Sequence, residues 1–143
     1  MGGVILNEYA FEELSIGHRE SFTRQVTDED VLLFSKISGD KNPLHLDEEY
    51  AKATEFRRCV AFGMLGSILH STLAGMYLPG KYSLILKEES SFISPIYSGD
   101  SLTITGEISE KKDFGKLLFI ETKILNQDNK NVIKGRLVVK VLK

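Results

Sequence analysis

The pattern of hydrophobic and polar positions changes character near residue 80, and the change predicts the architecture. Beyond that point, residues 82–94, 101–111, 116–126 and 131–142 read as strands. Leu102 and Ile104, and then Leu137, Val138, Val139 and Val141, give them β-branched and aliphatic character. Turn residues separate the segments: Ser98-Gly99-Asp100, Asp113-Phe114-Gly115, and the polar run from Asn126 to Asn131. The last three strands are expected to form an antiparallel meander. Before residue 80 the longest apolar segment runs from Gly63 to Leu78. Met64, Leu65, Ile68, Leu69, Leu73 and Met76 occupy most of the circumference of a helix there, which predicts a buried one. Gly66, Ala74 and Gly75 let neighbouring backbone approach it, and Pro79-Gly80 ends it.

Earlier elements are shorter. Residues 8–26 have room for one or two extended pieces ending near Glu20–Arg24. Thr27 followed by Asp28, Glu29 and Asp30 is a helix start, because the hydroxyl can cap and the acids suit the positive helix end. Val31, Leu32, Phe34 and Ile37 then form an apolar face as far as Ser38-Gly39. Asp47 is expected to cap a second short helix through Tyr50 and Ala51. One buried helix and four later strands predict an α+β fold, a curved sheet wrapped around a long central helix, as one domain over residues 1–143.

Composition narrows the function classes. With 42% apolar residues the chain can build a core, and a net charge of −2 with interspersed signs offers no basic stripe for nucleic acid. No run approaches the roughly 20 apolar residues that span a bilayer. The start lacks a basic region leading into an apolar stretch, so a cytoplasmic location is expected. Met1-Gly2-Gly3 is not a myristoylation signal, because Leu6 stands where Ser or Thr is needed. Cys59 is the single cysteine, so neither an intrachain disulfide nor a cysteine metal cluster is expected.

Residues 38–45, Ser38-Gly39-Asp40-Lys41-Asn42-Pro43-Leu44-His45, carry the candidate chemistry. They place a carboxylate and an imidazole on a loop stiffened by Pro43, which are the parts for paired proton transfer. The competing reading is a turn whose Asp bonds locally and whose His is merely exposed. Two features weigh against it: capped helices anchor the loop at both ends, and an apolar helix beginning at Gly63 follows. The first N–H groups of a helix lack internal partners and can hold an oxygen that becomes negative. The plainer role for Gly63 is an easy turn into the helix. Ser67 and Ser71 lie along that helix and either bond back to its carbonyls or steady the Asp or His.

Other candidates are weaker. His70 reads as structural and without a base or metal partner, and His18 as a surface turn residue. Gly75 to Lys81 imitates a phosphate-binding loop, but Tyr82 replaces the required Ser or Thr and the stretch ends a helix instead of opening one. His45 and Asp47 lack a third ligand with suitable spacing, so no metal is expected. Arg57 and Arg58 could lower the Cys59 pKa, although a core position at a strand start is the favoured reading. Lys52, Arg57 and Arg58 either meet a phosphate-rich ligand or form a solvated face, with the second slightly favoured.

From Phe34 through Gly39-Asp40-Lys41-Asn42-Pro43-Leu44-His45 to Ala51, the chain resembles the hydratase-2 motif of the MaoC-like, (R)-specific enoyl-CoA hydratases. The resemblance continues through Gly63-Met64-Leu65 and the later strand order. It implies a hot-dog fold, a sheet wrapped around a central helix. It implies that Asp40 and His45 are the catalytic pair, that Asn42 shapes their loop, and that the Gly63 N–H binds the thioester carbonyl. It also implies that Ser71 lies near the pair. One departure stands out: many members have His before this Gly, and here the residue is Phe62.

The resemblance thus implies an enoyl-CoA hydratase, or dehydratase in reverse, adding water syn to an acyl-CoA or acyl-carrier-protein thioester to give the (R) product. No cofactor is needed, and a homodimer is expected because an open sheet edge tends to pair. The alternatives are a thioesterase on the same fold, and a non-catalytic acyl-CoA binder or heteromer subunit. The Asp-x-Asn-Pro-x-His spacing argues against the first and the intact Asp40 and His45 against the second. Phe62 is the one feature favouring a binder.

Overall fold

The computed structural model describes residues 5–143, so the Met1-Gly2-Gly3 start lies outside it. Strand β1 spans Arg19–Gln25. Helix α1 spans Asp28–Ser38, α2 Pro43–Leu46 and α3 Glu48–Lys52. The central helix follows as α4, Gly63–Ser67, α5, Leu69–Thr72, and a π-helical turn, Leu73–Tyr77. Strands β2, Ser83–Phe92, β3, Ser101–Lys112, β4, Leu117–Leu125, and β5, Asn131–Val141, complete the chain.

The strands form one antiparallel sheet in the order β1-β3-β4-β5-β2. The expected meander is β3-β4-β5. Its inner face follows the period of two: Leu102, Ile104 and Ile108 on β3, then Leu118, Ile120 and Ile124 on β4, are at most 1% exposed. The central helix lies against that face so closely that a methyl group at Gly106 would sit 2.7 Å from Leu73 Cδ2. This is the hot-dog arrangement expected above.

Of the one or two extended pieces expected in residues 8–26 there is one, preceded by a 3₁₀ turn at Phe11–Glu13. Three expectations need correction. Of the apolar face of α1 only Val31 is buried, while Leu32 and Ile37 are exposed, because little of the protein covers the helix. The central helix is not one regular α-helix. It breaks at Ile68 and ends in a π turn, where the Leu78 N–H reaches back to the Leu73 carbonyl. Nor is it buried all round. Leu73 packs against the sheet and Leu65 and Ala74 are buried, whereas Met64 and Ile68 are open, since the sheet wraps one side only.

Candidate active site

Local bonding builds the Asp40–His45 loop. The Thr27 hydroxyl accepts from the Asp30 N–H, and the Asp30 carboxylate accepts from the Thr27 N–H, so α1 starts in a capping box. The same carboxylate takes two bonds from Arg24, at 2.8 and 2.9 Å. The Arg24 bonds lower the Asp30 pKa to about 2; burial, the next largest effect, opposes them, and the Thr27 contacts add to the lowering. Gly39 closes α1 at φ +77°, a left-handed conformation that suits glycine. The Ser35 hydroxyl donates to the Asp40 carbonyl at 2.7 Å, and the Asn42 N–H donates to Asp40 Oδ1 at 3.0 Å. Asn42 Oδ1 accepts the Leu44 N–H at 3.0 Å and so caps α2, with Pro43 in its first turn. Asn42 therefore shapes the loop through its side chain. Asp47 caps α3 as expected, accepting from Glu49 and Tyr50.

Long-range contacts then seat His45. Its Nδ1 lies 2.6 Å from the Val60 carbonyl oxygen. A carbonyl only accepts, so Nδ1 carries the proton, and Nε2 keeps its lone pair in the neutral ring. The imidazole packs on Phe62 with ring centroids 4.0 Å apart. His45 and Gly63 line one cleft of about 410 Å³ with Phe56, Phe92 and Ile96. The Gly63 side of this cleft is tight, because a methyl group there would sit 3.0 Å from the Phe92 ring. Gly63 begins α4, and Phe62 supplies no side-chain cap to it. His45 also borders a second cleft, of about 380 Å³, with Arg58 and Tyr97.

The structure thus brings His45 and Gly63 together. Asp40 and Asn42 stay exposed on the loop and do not line that cleft in the single chain. Ser71 does not reach it either. It is exposed on the open face of the central helix, about two turns from Met64 and one from Ile68. Ser67 is buried and donates back to the Met64 carbonyl at 3.1 Å, the plain helical role.

Three secondary readings are overturned. His70 does have partners: it is 1% exposed, with Nδ1 3.0 Å from Glu88 Oε1 and Nε2 2.8 Å from the Thr122 hydroxyl. Burial lowers its pKa, with Glu88 opposing. His18 is part-buried, with Nε2 2.7 Å from Glu20 Oε2 and its ring edge-on to Tyr9. Cys59 is half-buried outside any strand, and its thiol pKa is raised, first by burial and then by Glu48, despite the neighbouring arginines. Lys52 pairs with Glu49, and Arg58 lies 3.6 Å from the Tyr97 ring centroid. Among the described residues no cluster of His, Cys, Asp and Glu is disposed to hold a metal ion. No helix among them is long and apolar enough to cross a membrane. The Val60 carbonyl is the part of the site that sequence reasoning missed, with proximity to Gly63 its only signal, and Phe62, noted as a departure from the family motif, was not expected against the His45 ring.

A sheet around a helix, carrying this loop over the helix start, defines the hot-dog class. The family model of the MaoC like domain matches residues 15–129, and the chain belongs to that family. It is 33% identical over 130 residues to the (R)-specific enoyl-CoA hydratase of Aeromonas caviae, covering 91% of this chain and 97% of that one. To the (R)-specific enoyl-CoA hydratase of Rhodospirillum rubrum it is 34% identical over 106 residues, 71% and 74% of the two chains. Among solved structures, the unliganded R-hydratase PhaJ1 of Pseudomonas aeruginosa matches with a TM-score of 0.90 at 32% identity, covering 95% of this chain and 87% of that one.

Proposed function

We propose that this chain catalyses the reversible syn addition of water to a trans-2-enoyl thioester, giving the (R)-3-hydroxyacyl thioester. It is an enzyme of the hydro-lyase class, as its relatives are. The observation that carries the reading is the state of His45. The Val60 carbonyl holds the proton on Nδ1 and leaves Nε2 free as a base, in a cleft it shares with the Gly63 amide.

The thioester carbonyl accepts the Gly63 N–H, which stabilises charge moving onto that oxygen and opens the β-carbon to attack. Asp40 and His45 hold one water. One of them takes a proton from it as its oxygen bonds to the β-carbon, and the other delivers a proton to the α-carbon. Exchange with solvent restores both groups. The acyl carrier, CoA or a carrier protein, is part of the substrate. A homodimer fits two open features, the edge strand β2 with exposed Leu84 and Leu86 and the uncovered Met64 and Ile68 of the central helix. In such a dimer the site lies beside the partner's central helix. The proposed location is the cytoplasm.

The decisive assay follows the enoyl-thioester absorbance of crotonyl-CoA, then of longer enoyl-CoAs, with wild type, Asp40→Asn and His45→Gln. Each substitution is expected to lower kcat by about 10²–10⁴-fold. A folded wild type with no turnover on any chain length would sink the hydratase reading and favour a non-catalytic acyl-thioester binder.

A further inference from the structure

Residues 60, 62 and 63 all bear on the groups that the proposed reaction uses. The Val60 carbonyl accepts the His45 Nδ1–H at 2.6 Å. Phe62 lies against the imidazole, centroids 4.0 Å apart and planes 32° from parallel. Gly63 presents the amide for the thioester oxygen. The segment is fixed at two points: the Val60 N–H donates to the Leu44 carbonyl at 3.2 Å, and the Ala61 N–H donates to the Ile96 carbonyl at 2.7 Å. Leu44 directly precedes His45, so loop and segment are tied to each other in both directions.

One hydrogen bond does not fix an imidazole. Without a wall the ring can rotate out of line with the carbonyl, which carries Nε2 through an arc, weakens the Nδ1–H hydrogen bond and lets the proton sit on either nitrogen. A flat, immobile wall against the ring stops it. Phe62 meets the requirement of immobility: it is 3% exposed, and its ring also packs on Phe34 of α1, centroids 4.8 Å apart. Phe34 opens the motif that contains His45, so the helix before the loop and the imidazole at its end lean on one aromatic side chain.

We infer that Phe62 is a positioning residue, whose ring sets the plane of the His45 imidazole and so the placement of Nε2 relative to the Gly63 amide. It touches no reacting atom and acts through His45. The kinetic consequence rests on the hydratase reading, whereas the effect on the His45 ring does not. A misplacement of about 1 Å in such a site costs on the order of 100-fold in rate. A Leu at position 62 keeps the surroundings apolar but offers no flat wall.

The test compares wild type, Phe62→Leu and Phe62→Tyr by two readouts. Nitrogen-15 NMR of histidine-labelled protein, at a pH where the rings are neutral, reports the His45 tautomer. Crotonyl-CoA kinetics report kcat and KM. Wild type and Phe62→Tyr are expected to show the Nδ1–H tautomer alone. Phe62→Leu is expected to populate the Nε2–H form, with kcat lowered about 10–100-fold and KM within about threefold. A folded Phe62→Leu with a single tautomer and wild-type kcat would overturn the inference. So would equal losses in the Leu and Tyr variants with the tautomer unchanged. If wild type turns over no enoyl-CoA, the hydratase reading fails alone and the tautomer still decides the role of Phe62. Should Phe62→Leu not fold, Phe62→Met, closer in volume, carries the same expectations.

Discussion

Replacing His70 with Gln tests whether a buried neutral imidazole sets the pH dependence of stability. His70 links the central helix to β4 through Thr122 and to β2 through Glu88, at 2.8 and 3.0 Å. The neutral ring satisfies both contacts, with Nδ1–H donating to the carboxylate and Nε2 accepting from the hydroxyl. Ser90 joins the cluster by donating to Glu88. Burial dominates the His70 pKa and lowers it, and Glu88, whose side chain is 39% exposed, opposes only in part. In the unfolded chain the same group titrates near 6.5. Between the two values the unfolded state binds more protons than the folded one. The stability that His70 contributes is therefore complete above about pH 6.5 and declines as pH falls below it toward the folded pKa, with a slope of at most about 1.4 kcal/mol per pH unit.

At pH 5.5 the wild type should have lost stability relative to pH 7.5 through this one group, by at most about 1.4 kcal/mol. Gln can donate to Glu88 and accept from Thr122 but cannot titrate in this range. Its less exact fit should cost about 1–3 kcal/mol at pH 7.5. Urea unfolding of both proteins at pH 7.5, 6.5 and 5.5, at one protein concentration, gives the two profiles. They should converge as pH falls. His18 and His45 are present in both proteins and cancel in the difference. Parallel profiles would refute the reasoning.

Two further outcomes follow from the same chemistry. The lowered pKa of Asp30, about 2, means that its contribution is present above about pH 3.8 and lost as pH falls toward 2. Asp30→Asn should cost about 1 kcal/mol at pH 7, since Arg24 is half exposed and screened, and should flatten the acid limb of the unfolding profile; an unchanged limb would count against the pair. The raised pKa of Cys59 leaves little thiolate at pH 7.5, so iodoacetamide should modify it several-fold more slowly than free cysteine on the order-of-magnitude scale of thiolate fraction. Glu48→Gln should speed that modification, and a wild-type rate equal to that of free cysteine would contradict the assigned environment.

What was legible in the chain was local. The Thr27–Asp30 box needs groups three residues apart, and the Asp40, Asn42 and Asp47 caps need groups two or three apart. Alternation along β3 and β4 marks the buried face because successive side chains point to opposite sides of a sheet. What was not legible depended on distant segments. His70 read as unpaired because its partners lie 18 and 52 residues away. Leu32 and Ile37 read as a buried face because periodicity marks a stripe without showing what covers it. Cys59 read as a core residue at a strand start, with the two adjacent arginines offering the lesser option of a lowered pKa, whereas burial and Glu48, which is distant in the chain, raise it.

By itself, then, the sequence determined the strands of the meander, the stiff Asp40–His45 loop and the helix that starts at Gly63, since each arises from bonds and periods spanning a few residues. Tertiary structure alone decided the pairing of β1 with β3 and of β2 with β5, the open side of the central helix, and the tautomer and plane of His45. The last of these depends on a carbonyl 15 residues away and on a ring two residues further on. Such contacts exist only after the chain has closed loops between segments, and no local period or spacing encodes which segments will meet.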